Sequence, residues 1–272
     1  MNGRCGQLVG CAVLAAAAAV CACGPQKPTE LTSTLKLDGG ITVTCLRDNA
    51  GERTMPASLF GASQEIIDEL GIADGIPSST SAFLVQKGSM NLLFDGGMGG
   101  ADSQLLNALD SIGVTPSDVD CIFITHLHGD HIGGLTADGA PVFENAVLYL
   151  ANTEYEAWMA MPEQQAAQTK ALVEAYGDNV KLFNYDDELP CGIKALHTPG
   201  HTPGHTVYSL GKLLIVGDIM HGVALQTVHP ELNARFDMDS TEAVNSRKLI
   251  LSLEDQYILA GAHFPTPGFL GY

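Results

Sequence analysis

Between residues 35 and 272 the chain is a succession of short apolar runs separated by turns rich in glycine, proline and aspartate. Ile41–Leu46, Ala82–Lys87, Met90–Phe94, Cys121–Thr125, Ala146–Leu150, Val180–Phe183, Ile193–Leu196, Thr206–Leu210, Lys212–Val216 and Tyr257–Ala260 are each four to six residues long. Length and β-branched content predict strands, with Tyr257–Ala260 the last of them. Gly88-Ser89 supplies the turn between two of these strands, and the glycines around Asp95 a flexible loop. Leu105, Leu106, Leu109 and Ile112 follow helical spacing, with Asp102 as the expected cap. The segment from Asn152 to Tyr176 is rich in helix formers and is broken at Pro162. Asp239 followed by Glu242 predicts another helix start, running to about Leu253. Strands and helices alternate without an internal linker, so one α/β domain of stacked sheet and helix layers is expected over 35–272.

The first residues follow a different pattern. Leu8–Ala22 is an apolar, alanine-rich run of 15 residues behind a short basic start. It is shorter than the roughly 20 residues a spanning helix needs and has the form of an export signal. Val20-Cys21-Ala22-Cys23 resembles a lipobox. Residues 1–22 are therefore expected to be a lipoprotein-type signal peptide, with Cys23 carrying the lipid. Cleavage after Ala22 without lipidation is the alternative. Residues 23–34, with Pro25 and Pro28, read as a tether. The expected location is the bacterial envelope, periplasmic or membrane-anchored. Removing the leader leaves Cys45, Cys121 and Cys191 beside Cys23, too few for a disulfide framework.

Composition narrows the partners. Lys+Arg number 13 against 31 Asp+Glu, a formal charge of −18. Such a chain is poorly suited to gripping nucleic acid or anionic lipid. The expected partners are a small neutral substrate, no nucleic acid, a membrane only through a lipid on Cys23, and a second copy in a homodimer.

The chemistry gathers where strands end. His126, His128, Asp130 and His131 lie within six residues, directly after Cys121–Thr125. Imidazole and carboxylate are good ligands for zinc at about 2.0–2.2 Å, and residues so close must bind cations or suffer crowding. Adjacent Asp130 and His131 project differently from His126 and His128, so one loop can serve two ions. His197, His201 and His205 form a second cluster on two Thr-Pro-Gly turns. Spacing alone does not say which of the three is a ligand. Asp218 closes the apolar run LLIVGD, and His263 follows the last predicted strand.

These motifs resemble the metallo-β-lactamase superfamily over roughly 35–272, closest in motif to its methyl parathion hydrolase and lactonase branch. The resemblance implies a four-layer αβ/βα sandwich with two divalent ions at one edge, zinc being favoured by the ligand types. It assigns His126, His128 and His201 to one ion and Asp130, His131 and His263 to the other, with Asp218 between them. Asp95 would orient a ligand, as would His197 or His205. Asp130 and Asp218 would manage the proton of a bridging hydroxide that attacks a neutral ester, lactone or phosphotriester-like bond. Lactonases of this branch have a tyrosine where His221 stands, so His221 becomes a candidate catalytic group toward the substrate oxygen, with packing or lining the cleft as the alternative. The walls of the cleft are expected from Met55–Ile76, 152–176 and 219–236. Two other readings use the same ligands: a surface lipoprotein that binds metal without catalysis, and an iron-dependent oxidoreductase.

Overall fold

The fold is that of a computed structural model, described for residues 30–271. The expected signal peptide 1–22, Cys23 and the tether up to residue 29 lie outside the described residues. The C-terminal part of that tether is strand rather than linker. Thr32–Leu37 pairs antiparallel along Ile41–Arg47, so the domain begins before residue 35.

Two sheets form the centre. One runs Thr32–Leu37, Ile41–Arg47, Ser81–Lys87, Met90–Phe94, Cys121–Phe123, Val147–Ala151 and Val180–Phe183 in spatial order. The other runs Lys194–His197, Thr206–Leu210, Leu213–Gly217, Ile258–Gly261 and Phe269–Leu270. Tyr257–Ala260 therefore does not supply the last strand. Phe269–Leu270 returns antiparallel beside it, a two-residue strand too short to show alternation in sequence.

Side-chain alternation explains the layering. Phe83, Val85, Leu92, Phe94 and Phe123 point from the first sheet to meet Tyr208, Leu213 and Ile215 of the second. Their neighbours Ala82, Leu84, Leu93 and Ile122 point the other way, under the helices Leu105–Ser111, Asn152–Met159 and Glu163–Tyr176. On the far side Leu214 and Val216 pack with Ile250 of the helix Ser240–Leu251. Both faces of each central strand are covered, so these strands are apolar throughout rather than alternating. The result is the expected four-layer αβ/βα sandwich.

One predicted cap is corrected. Asp102 does not cap Leu105–Ser111. Buried Asp48 does, accepting from Gln104 N (2.8 Å) and Leu105 N (2.9 Å). Asp239 caps its own helix as expected, accepting from Thr241 N and Glu242 N.

Candidate metal centre

The parallel strands fix where the chemistry lies. Met90–Phe94, Cys121–Phe123 and Val147–Ala151 are mutually parallel neighbours, and Leu213–Gly217 runs parallel to Ile258–Gly261. The chain leaves the ends of these strands as Asp95, as Thr125 to His131, as Asp218 and as His263. Thr206 N donates to Thr125 O (2.9 Å) across the two sheets, and Ser81 N donates to Ala262 O (2.9 Å). The ends therefore share one edge, where ligands gather in open α/β sheets. His128 is extended and Gly129–Ile132 makes a single helical turn, which swings Asp130 and His131 away from His126 and His128.

All seven residues assigned as ligands meet there, in two groups. His126 Nε2, His128 Nδ1 and His201 Nε2 stand 2.8 to 3.2 Å from one another. Asp130 Oδ2 lies 3.4 Å from His263 Nε2, with His131 in the same cluster. Asp218 lies between the groups. Its Oδ2 is 3.2 Å from both His201 Nε2 and His263 Nε2, and its Oδ1 is 3.1 Å from His131 Nε2.

These residues fit divalent cations. Ligands held tetrahedrally at about 2.0–2.1 Å from an ion sit about 3.3–3.4 Å apart, close to the spacings of the three-imidazole group. A triangle of ring nitrogens cannot satisfy itself with protons. His131 Nε2 and Asp218 Oδ1 are buried and close, yet neither makes a hydrogen bond.

The outward nitrogens are held as metal-bound imidazoles require. Asp95 Oδ2 meets His131 Nδ1 at 2.8 Å, while Thr125 Oγ1 donates to the same Asp95 oxygen. Ser79 O accepts from His263 Nδ1 at 2.8 Å. Asp237 Oδ1 meets His201 Nδ1 at 3.0 Å, and its other oxygen faces the buried Arg247 guanidinium at 3.3 Å. Sequence reasoning missed Ser79 and Asp237. Asp237 lies in no ligand-like spacing, and Ser79 acts through its main chain, which leaves no mark in a sequence.

Of the second histidine cluster, only His201 reaches the centre. His205 is buried behind Asp218, where its Nε2 accepts from Asp218 N at 3.1 Å and its Nδ1 donates to Thr198 Oγ1. His197 stacks on Tyr185 at the surface. His221 lines the cleft, and its Nε2 sits 2.9 Å from Asp218 Oδ2. Burial pushes it down to about 4, so it is neutral near pH 7. The single proton of that neutral ring is then committed to Asp218, and its buried Nδ1 has no partner. This geometry makes His221 a partner of the carboxylate at the wall of the cleft.

Charge is divided unevenly among the imidazoles. Burial holds His126 well below its ordinary range, reinforced by His131, and pushes His128 down to about 4. Burial opposes charge on His131 and His263 as well. Asp218 outweighs it, aided by Asp95 and Asp130 at His131 and by Asp130 at His263, so His131 stands well above its ordinary value and His263 at about 10. Burial would raise Asp218, but His131, His263 and His221 hold it well below the carboxylate range. Asp218 and Asp237 likewise raise His201 against its burial, so protons on His131, His201 and His263 balance the carboxylates that cations would otherwise neutralise.

A cleft of about 360 Å³ opens onto this cluster, with Met55 and Phe236 as its apolar walls. The expected contribution from 152–176 is absent from that lining. Trp158 instead packs edge-on against His128 from behind, ring centroids 5.5 Å apart.

Residues 75–263 match the metallo-beta-lactamase superfamily. The chain belongs to that superfamily. Among solved members of the superfamily fold, the hydrolase AbOPH aligns with a TM-score of 0.77 at 28% identity, covering 89% of this chain and 93% of that one. AidC, a dizinc quorum-quenching lactonase solved with a product, aligns with a TM-score of 0.76 at 25% identity, covering 89% and 94%. An N-acyl homoserine lactonase of Bacillus thuringiensis is 36% identical over 100 residues. That match spans only 37% of this chain and 36% of the lactonase.

Proposed function

We propose that this superfamily member is an exported hydrolase that uses two divalent cations, zinc foremost, to cleave a small neutral ester, lactone or phosphotriester-like substrate. One observation carries the reading. The Asp218 carboxylate lies within 3.2 Å of ring nitrogens from both ligand groups, the position a ligand shared by two ions needs. When bound, such ions supply a hydroxide at neutral pH and polarise a carbonyl or phosphoryl oxygen.

The chain's own residues do the rest. Asp218, held by His221 Nε2 and by the backbone bond to His205, keeps a fixed orientation between the two groups. Asp130 is about a third exposed at the cleft and is placed to pass a proton between the reacting oxygen and solvent. Met55 and Phe236 offer an apolar surface to the rest of the substrate. That surface, in a chain of net charge −18, favours neutral substrates over polyanions. An open cleft also suits turnover better than metal storage does. The lactone class is supported by the lactonases among the relatives. Export rests on the apolar Leu8–Ala22 run, with a lipid on Cys23 as the membrane attachment. Among the described residues no helix is long and apolar enough to cross a membrane.

Elemental analysis should find two divalent ions per chain. A panel of lactones, aryl esters and phosphotriesters should then identify the bond cleaved. A fully metallated protein inert on all three classes would refute the proposal, and substrate-dependent oxygen consumption with bound iron would replace it with an oxidoreductase.

A further inference from the structure

Glu154 is fully buried in the first turn of the helix Asn152–Met159, away from the cleft, and the chemistry above does not use it. Burying a carboxylate is costly unless its acceptor sites are filled. Here both oxygens are. Oε1 accepts from Leu127 N (3.0 Å) and Trp158 Nε1 (2.7 Å), and Oε2 accepts from Thr202 Oγ1 and Gly204 N (each 2.8 Å).

The identity of those donors is informative. Leu127 lies between His126 and His128. Thr202 follows His201, and Gly204 closes the same loop. Trp158 packs on the ring of His128. Gly204 makes the approach sterically allowed, since a Cβ there would fall 2.3 Å from Glu154 N. No bond from Glu154 reaches the other group, whose imidazoles lean on Asp95 and Ser79.

We propose that Glu154 is the positioning residue for one cation only, clamping the two loops that bring His126, His128 and His201 to a common point. The proposal rests on the two-cation reading of the cluster. It predicts that the two ions can be uncoupled by a side chain that touches neither.

The test is a cobalt(II) titration of the chelator-treated full-length protein, followed by visible absorption and equilibrium dialysis. Glu154→Gln preserves shape, but either amide orientation turns an NH2 group toward two donors. In that variant one ion should bind about 10–100-fold more weakly, the usual effect of losing a group that orients ligands, while the other keeps its wild-type affinity. Thr202→Val removes one of the four bonds and should weaken the same ion by a smaller factor, which keeps the test open should Glu154→Gln fold poorly. Unchanged affinities in both variants, or equal weakening of both ions, would overturn the proposal. A wild-type protein that takes up fewer than two ions would instead overturn the two-cation reading on which it stands.

Discussion

Protons and cations compete for the same nitrogens, so the metal-free and metal-loaded proteins should respond to pH in opposite senses. His263 illustrates the magnitude. Its ring stands at about 10 in the folded, metal-free chain, against an ordinary 6.5, because Asp218 and Asp130 outweigh the burial that opposes its charge. A raised value stabilises the fold fully below pH 6.5, and that contribution is lost as pH climbs toward 10. At about 1.4 kcal/mol per pH unit, the interval corresponds to about 5 kcal/mol as an upper figure, shared among the coupled groups. Asp218, held well below the carboxylate range, keeps its contribution above about pH 4 and loses it only in strong acid. Urea denaturation of chelator-treated protein at pH 6.5 and 9.5 should therefore show a fall of several kcal/mol. Asp218→Asn should flatten most of it, since the anion facing His263, His131 and His201 is gone. Divalent cations should bind more tightly as pH rises, releasing protons near pH 7 as they displace them from those rings. Metal-free stability level across that range, an Asp218→Asn profile that follows wild type, or zinc binding in weak buffer without proton release would refute this coupling.

Asp237→Asn removes the anion behind His201 while leaving Arg247 its carbonyl partners at Ile219, Pro230 and Leu232. It should weaken one ion about 10–100-fold and also lower stability by about 3–5 kcal/mol, because the buried guanidinium keeps its charge and loses its anion, as measured by dialysis and a thermal melt. Gly133→Ala meets no conformational obstacle, because Gly133 is already helical, but its Cβ would sit 2.1 Å from Met98 O. Two backbone segments would have to separate, costing about 1–3 kcal/mol and shifting His131. Denaturation midpoint and metal occupancy should drop together.

Amino-acid order alone specified the strands whose two faces are both buried, because an unbroken apolar run between turn residues has few other readings. It determined the first metal loop too, since His126, His128, Asp130 and His131 lie within a few residues and their chemistry is legible wherever the loop points. Tertiary structure decided everything that depends on distance across the fold. Asp48 displaced Asp102 as a helix cap from 56 residues away, a competition that local spacing cannot register. His201 became the inward member of its cluster because its loop is pinned to Asp237, while His205 turned behind Asp218 and His197 toward Tyr185. The carboxylates of Glu154 and Asp237 carry no local motif that marks them in the sequence. Only packing showed them to be buried, and burial gave each a fixed set of donors and a place behind the ligands.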